Sequence, residues 1–219
     1  MGYRRAARVG GVLVLSLTVG ACAARLEPAP GARLVGGGKP GVVASAAGIT
    51  LVARTDAWTG RPRALEAKVI PVLVTLENGS DRPVRVRHED FALVAEDGRR
   101  FAGVAPFDID GVVTEPVAAL PLAVARPYHW RFGLGAPLYD PFLYDPLWTP
   151  AFAAVPLPTP DMVQLALPER VLAPQDRATG FVYFPRPPRD VRRLDLTARL
   201  VDARTGESVG TLVIPLVFD

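Results

Sequence analysis

The stretch KVIPVLVTLE, residues 68–77, carries the clearest strand signal in this chain. Positions 72, 74 and 76 are all aliphatic, whereas the positions between them are mixed, so the segment alternates between an apolar face and a more polar one. Such an alternation predicts a half-buried β-strand. Pro71 has no backbone N–H to donate, which predicts that this part of the strand lies at a sheet edge or at a bulge.

Shorter segments with the same kind of pattern lie on both sides of residues 68–77. They cover residues 49–54, 83–88, 91–95, 180–184, 194–201 and 209–218. Turn-forming clusters separate them about every ten residues, and Asp97-Gly98 between two apolar runs predicts a β-hairpin. About seven or eight short strands in this arrangement predict an all-β fold, a β-sandwich that covers residues 48–219.

This pattern resembles the immunoglobulin-like β domains of bacterial envelope lipoproteins. In those domains a strand that ends in Asn-Gly or Asn-x-Ser precedes a second strand and an F-x-L stretch, and residues 74–80 (VTLENGS) and 91–93 (FAL) match this order. The resemblance covers residues 48–105 and 176–219, although the disulfide and paired tryptophan of true immunoglobulin domains are absent. It implies adhesion or scaffolding rather than one particular activity.

The N-terminal segment has the features of an export signal. Three arginines are followed by an apolar run over residues 10–19, which is about half the length needed to span a membrane. The run ends in Val19-Gly20-Ala21-Cys22, and Cys22 is the only cysteine of the chain. This order resembles the lipobox of bacterial lipoproteins. A single cysteine also excludes an internal disulfide, so the fold must depend on core burial.

The lipobox resemblance implies how the chain is processed. Residues 1–21 would be a signal peptide that is removed, and the sulfur of Cys22 would carry a lipid. Bacterial lipoproteins typically have three acyl chains, palmitate among them, which implies a stable anchor. Residues 22–47 are rich in glycine and proline, which predicts a flexible linker. Ala23, where an inner-membrane retention signal would have Asp, favours the outer membrane.

The charge of the chain depends on that processing. The chain has 25 basic and 22 acidic residues, a formal net charge of +3. Removal of residues 1–21 takes away three arginines and no acidic residue, which leaves 22 of each sign. A balanced charge gives no support for nucleic-acid binding.

Residues 106–174 differ in composition and are predicted to form a long insertion in the sandwich. They contain thirteen of the 23 prolines and two of the three tryptophans. The near repeat YDPFLYDPLW over residues 139–148 predicts two successive turns that present aromatic side chains on one surface. The alternative is that these rings pack over one open end of the sandwich. The predicted partner-binding residues are Tyr128, Trp130, Tyr139, Phe142, Tyr144 and Trp148.

The end of the insertion has a helical signal. Residues 160–172 predict one or two helical turns, and Asp161 is expected to cap them by accepting hydrogen bonds from the first free amides. Pro168 limits the length of this helix.

Few residues indicate catalysis or metal binding. His88 and Asp90 are predicted to share one face of a strand, but a closed metal site needs three or four ligands. Asp108 begins a segment similar to a calcium loop, yet the twelfth position, which needs an acidic side chain, is alanine. Asp140 and Asp145 could in principle serve acid–base chemistry, although turn formation explains both. We therefore predict no catalytic residue, no metal site and no cofactor.

The function predicted from these features is that of a membrane-anchored, non-catalytic envelope lipoprotein. It would bind or scaffold another cell-envelope component through the aromatic insertion, with the lipid anchor raising the local concentration. The alternative is a metal-binding or hydrolytic enzyme on the same scaffold, which would use His88, Asp90 or the two Asp-Pro turns.

Overall fold

The computed structural model of the chain describes residues 25–36, 41–116 and 152–218, and these form an all-β fold. In chain order the strands are β1 (Leu26–Pro28), β2 (Leu34–Val35), β3 (Gly41–Ala46), β4 (Ile49–Arg54), β5 (Val69–Asn78), β6 (Val84–Val86), β7 (Phe91–Ala95), β8 (Arg100–Ala102), β9 (Val112–Pro116), β10 (Phe152–Pro156), β11 (Arg170–Leu172), β12 (Arg177–Pro185), β13 (Arg193–Asp202) and β14 (Ser208–Phe218). A short helix, α1, covers Pro160–Leu165, and 3-10 turns cover Leu65–Ala67, His88–Asp90 and Pro106–Asp108.

Most of these strands belong to two antiparallel sheets. In sheet 1, β14 lies between β1 and β13, and the other edge of β13 pairs with β7 and then with β6. β8 extends this sheet from β7, and β11 extends it from β6. Sheet 2 has the order β12-β5-β4-β3-β2, and β9 pairs with β10 in a separate two-stranded sheet.

The main core lies between sheets 1 and 2. Alternate residues of the long strands point into it, such as Val72 and Val74 of β5 and Leu196 and Ile214 of β13 and β14, all of which are fully buried. Each aliphatic side chain buried in this way contributes about 1.5–3 kcal/mol. The period of two along each strand is therefore the local feature that assembles the sandwich.

The strand predicted over residues 68–77 is confirmed as β5, with its aliphatic positions 72, 74 and 76 in the main core. β5 is an interior strand, because it lies between β12 and β4. Pro71 is nevertheless accommodated, since β4 pairs only with residues 73–78 and Pro71 pairs with Tyr183 of β12. At Pro71 the strand thus has a local edge, as the missing N–H requires.

The predicted hairpin at Asp97-Gly98 is also confirmed. β7 and β8 pair antiparallel, and the N–H of Gly98 donates to the carbonyl of Ala95 at 2.9 Å. Gly98 has φ of 85°, a value that glycine adopts without steric cost.

The described part of residues 22–47 differs from the flexible linker predicted there. β1 begins at Leu26, pairs with the end of β14, and contributes Leu26 to the main core. Residues 42–46 of β3 pair with β4, and β2 pairs with the start of β3. Glycines in this segment serve turns beside short strands, because Gly31 and Gly36 have φ of 86° and 92°. The sandwich therefore begins four residues after Cys22.

The described part of the insertion predicted over residues 106–174 is partly integrated with the sandwich. β11 lies within it and pairs with β6 in sheet 1. β9 and β10 pair with each other, and Phe152 lies opposite Pro116. The described residues contain fourteen strands rather than about seven or eight. The additional ones include strands of two or three residues, which are too short to show an alternation in the sequence.

Candidate partner-binding surface

A second layer of side chains covers the outer face of sheet 2 at β5 and β12. Along β12, Val182 and Phe184 point into the main core, whereas Phe181 and Tyr183 point to the opposite face. Both of these outward rings are buried all the same. One face of an antiparallel sheet is commonly solvated, so another part of the chain must cover it here.

The covering side chains come from segments far apart in the sequence. They belong to the 3-10 turns, to α1 and to the loops beside these elements, and they pack against β12. We call the buried group the outer cluster, and it consists of Leu65, Val69, Ile109, Met162, Phe181 and Tyr183.

Gly180 permits the close approach of this covering layer to β12. A Cβ at position 180 would lie 2.5 Å from both the backbone nitrogen and the Cα of Leu167. The amide of Leu167 donates to the carbonyl of Phe181 at 2.9 Å. The segment after α1 is therefore held against the sheet by its backbone, at a distance that only glycine allows.

Aromatic rings form the part of this layer nearest the surface. Trp58 meets Phe181 edge-on with ring centroids 5.1 Å apart, and it meets Tyr183 edge-on at 6.1 Å. Such pairs contribute about 0.5–1.5 kcal/mol beyond their buried area. The indole N–H of Trp58 donates to the carbonyl of Pro62 at 2.8 Å, which fixes the ring in its own loop.

Hydrogen bonds tie the Trp58 loop to the start of α1. The Thr159 hydroxyl donates to the carbonyl of Arg61 at 2.6 Å, and the Asp161 carboxylate accepts from the amide of Arg61 at 2.7 Å. Thr159 also caps α1, because its hydroxyl accepts from the amide of Met162 at 3.4 Å. The cap predicted at Asp161 is wrong, since that carboxylate is engaged by the neighbouring loop.

Two further contacts hold the layer in place. The carboxylate of Glu115 on β9 accepts from the backbone amides of Arg63 and Ala64. The Tyr183 hydroxyl donates to the carbonyl of Met162 at 2.9 Å inside the outer cluster. Burial raises the pKa of the Tyr183 hydroxyl far above its ordinary value, with a smaller contribution from the Asp161 charge. Tyr183 therefore acts as a neutral donor at physiological pH.

Large apolar side chains on these same elements are exposed to solvent. Phe107 is 73% exposed and Phe152 is 60% exposed. The 3-10 turn that carries Phe107 contacts α1, and Phe152 begins β10 opposite the end of β9. These residues lie before and after residues 117–151 in the chain. We call the exposed group the apolar rim, and it consists of Phe107, Val112, Phe152, Val163 and Leu165.

The residues predicted to bind a partner lie outside the described residues. This applies to Tyr128, Trp130, Tyr139, Phe142, Tyr144 and Trp148, and also to the predicted lipidation site Cys22 and to Asp140 and Asp145. The apolar rim was not predicted from the sequence, because an exposed valine or phenylalanine looks the same as a buried one. One sequence feature could have indicated the rim: Met162, Val163 and Leu165 of α1 place apolar side chains on more than one face of the helix.

His88 does not lie on a strand face as predicted, because residues 88–90 form a 3-10 turn. The carboxylate of Glu169 accepts from the amide of His88 at 2.8 Å and lies 3.0 Å from its Nδ1. These contacts, the backbone hydrogen bond first, hold the pKa of the Glu169 carboxyl below its ordinary value. The ring of His88 is buried, and its Nε2 has no hydrogen-bond partner among the described residues.

Asp90 has different partners from His88. Its carboxylate is buried and accepts from Arg199 of β13 at 2.7 Å (Nη2) and 3.2 Å (Nε), and Arg85 lies 3.8 Å away. The two side chains named in the metal-binding alternative therefore serve separate contacts between elements. Within the described ranges, no three His, Cys, Asp or Glu side chains lie close enough together to hold a metal ion.

Asn78 is the last residue of β5, and its side chain makes several hydrogen bonds. It is 1% exposed, and its Nδ2 donates to the carbonyls of Arg82, Leu172 and Ala173 at 2.7–3.1 Å. Its Oδ1 accepts from the hydroxyl of Ser80 at 2.6 Å. Asn78 thus connects the end of β5 to the end of β11, which joins sheet 2 to sheet 1.

Comparison of this chain with protein-family models, with curated proteins and with solved structures finds no match. Among the residues that the structure describes, no helix has the length and apolar character needed to cross a membrane.

Proposed function

We propose that this chain is a lipid-anchored, non-catalytic lipoprotein of the bacterial cell envelope, located at the outer membrane. Its immunoglobulin-like sandwich binds or scaffolds another envelope component through the insertion over residues 106–174. The lipobox-like residues 19–22 support the anchor. The all-β fold supports a binding scaffold, although a fold by itself does not specify a function.

The observation that carries the binding function is the apolar rim. Phe107 and Phe152 are among the most exposed large hydrophobic residues of the described chain. In the sequence they lie before and after residues 117–151, which contain the six aromatic residues predicted to bind a partner. Exposed aromatic side chains in a group are typical of interaction sites, where a few such anchors dominate the binding energy.

Hydrogen bonds hold the segments that lie beside the rim. The ties from Arg61 to Thr159 and Asp161, and from Glu115 to residues 63–64, hold the surrounding loops against sheet 2. A surface that is held in its binding conformation loses less conformational entropy on association. The outer cluster therefore explains how a loop-rich region of this sandwich can present a constant surface.

The test uses the full, lipidated chain in its native host with gentle crosslinking. We expect the double variant Phe107→Ser, Phe152→Ser to reduce the yield of the crosslinked partner at least about fivefold, as for loss of a 1 kcal/mol anchor. The matched control is Val213→Ser on β14, which is 47% exposed on the outer face of sheet 1. Equal yields from the rim variant and the wild type would contradict the binding surface.

The anchor and the absence of catalysis are tested separately. Mass spectrometry of the chain from its native host should show a new N-terminus at an acylated Cys22, and an intact Met1 with a free thiol would contradict the anchor. A hydrolase activity of the purified chain that His88→Ala or Asp90→Asn abolishes would favour the enzyme alternative.

A further inference from the structure

The lipid anchor that we propose would lie very near the sandwich. β1 begins at Leu26, which is buried in the main core and pairs with Phe218. Four residues of extended chain reach at most about 14 Å. An acylated Cys22 would therefore hold one particular end of the sandwich against the membrane surface, rather than letting the domain move freely above it.

That end can be identified from the strand order. In sheet 1 it contains the start of β1, the start of β13 and the end of β14. In sheet 2 it contains the end of β12 and the start of β5, which pair with each other. Both sheets meet here, because Leu26 and Phe218 line a small cleft together with Ile70, Pro71 and Arg186. We call this the proximal end, and we call the opposite one, with Asn78 and Asp202, the distal end.

The proximal end carries exposed arginines that are not neutralised. The loop over residues 186–192 joins β12 to β13 and contains three arginines and one acidic residue. That acidic residue, Asp190, is bound by Arg99 at 2.6 Å. In the described chain, four exposed arginines of this end make no ion pair with a carboxylate: Arg25, Arg54, Arg189 and Arg192.

The distal end has the opposite balance. Its loops over residues 79–83 and 202–207 contain three acidic residues and two arginines. Asp202 accepts from the amides of Arg204 and Thr205, which lowers the pKa of its carboxyl and keeps it charged. Glu27, Asp56 and Glu66 also lie at the proximal end, so the contrast is one between loops. Residues 186–192 carry a formal net charge of +2, whereas the two distal loops together carry −1.

We propose that the proximal end is a membrane-contact surface, on which Arg25, Arg54, Arg189 and Arg192 bind the anionic headgroups of the membrane lipids that surround the acylated Cys22. This inference rests on the lipid anchor of the proposed function. Each basic residue near an anionic surface raises the affinity about fivefold. The anchor supplies the proximity and the arginines select the orientation, so that the distal end points away from the membrane.

The test measures orientation with the lipidated full chain in vesicles. Cys22 is the only native cysteine, so once it is acylated an introduced thiol is the one reactive site. A fluorophore is attached at Pro188→Cys in the proximal loop or at Thr205→Cys in the distal loop, both of which are exposed. Quenching by a lipid with a headgroup-attached quencher is compared in phosphatidylglycerol–phosphatidylcholine vesicles and in pure phosphatidylcholine vesicles.

We expect quenching at position 188 and little at 205 in the anionic vesicles. Arg189→Glu with Arg192→Glu should reduce the quenching at 188 at least severalfold, whereas the matched distal pair Arg82→Glu with Arg204→Glu should not. Quenching that is equal at the two positions, or that does not differ between the two lipids, would overturn the contact surface while leaving the anchor intact. An unacylated Cys22 in mass spectrometry would overturn the anchor, and the inference with it.

Discussion

The main core and the outer cluster bury similar side chains but are assembled in different ways. The main core is formed by alternate residues of long strands, so that β5 and β13 each supply several residues at every second position. The outer cluster takes residues one or two at a time from a loop, a 3-10 turn, the start of β5, α1 and β12. Its members are up to 118 positions apart in the chain, from Leu65 to Tyr183.

This difference shows what each region needs for its stability. In the main core, the strand period brings the buried residues together and the sheet hydrogen bonds follow from it. In the outer cluster only Phe181 and Tyr183 follow a strand period, and polar contacts such as those of Arg61 with Thr159 and Asp161 hold the other segments in place. We therefore expect the outer cluster to open more easily than the sandwich beneath it.

The largest effect should come from a cavity in the main core. Leu196→Ala removes a fully buried side chain, and we expect the free energy of unfolding to fall by about 3–5 kcal/mol. Met162→Ala in the outer cluster should cost about 2 kcal/mol, because neighbouring loops can close part of the cavity. Urea unfolding followed by tryptophan fluorescence measures both.

Hydrogen exchange then tests whether the two regions are separate units. Met162→Ala should speed amide exchange in α1 and at Leu167 while β13 keeps the protection of the wild type. Uniformly faster exchange in both regions would show that the cluster and the sandwich unfold as one unit.

A smaller effect is expected from Gly180→Ala, where the covering layer touches β12. A Cβ at this position would lie 2.5 Å from the backbone of Leu167, so the segment must move and the loss should be about 1–3 kcal/mol. Gly210→Ala is the control, because the nearest atoms to its added Cβ are 3.8 Å and 4.0 Å away. Thermal unfolding should separate the two variants, and equal midpoints would contradict the close approach.

Tyr183→Phe should cost about 1 kcal/mol, because the buried carbonyl of Met162 loses its donor. The control is Thr75→Val, whose hydroxyl pairs with Thr179 at an exposed position where water can replace it. We expect less than about 0.5 kcal/mol for this control. Chemical denaturation checks both values, and a neutral Tyr183→Phe would show that water reaches this carbonyl.

The smallest effect concerns pH at the contact between Glu169 and His88. The pKa of Glu169 is lowered in the folded chain by the His88 amide first, so the contact stabilises the fold above the carboxyl's unfolded pKa. This contribution is lost as the pH falls through the folded pKa. Since the Glu169 side chain is 48% exposed, we expect less than about 1 kcal/mol.

The measurement is the pH dependence of unfolding for the wild type and Glu169→Gln. The wild type should be the more stable at neutral pH, and the difference should disappear in acid. A difference that persists below the ordinary range of a carboxyl would assign the effect to packing instead.

Strands with a long alternation could be predicted from the sequence. β5, the β7–β8 hairpin at Asp97-Gly98, and β13 follow from side-chain period and turn chemistry. β1 could not be predicted, because three residues beside Pro28 and Pro30 show no period and their partner, β14, lies about 190 positions away. The interpretation of residues 22–47 as a linker therefore failed at β1, whose pairing is non-local, and also at β3, which pairs locally with β4.

The residues of the apolar rim were not predicted from the sequence. The composition of residues 106–174 indicated an insertion, but Phe107 and Phe152 gave no sign that they are exposed while Ile109 and Met162 are buried. Likewise, His88 and Asp90 were expected to share one face of a strand. They lie in a 3-10 turn instead, and their side chains contact different elements. Exposure depends on which other segments reach a residue, and this is not a local property.

The sequence by itself determined the strand faces and the tight turns, because each of these depends on residues that are close together in the chain. The tertiary structure alone decided which sheet face is covered, which apolar side chains stay exposed and where the arginines gather. These features depend on free energies of contact between segments that only the folded chain brings together.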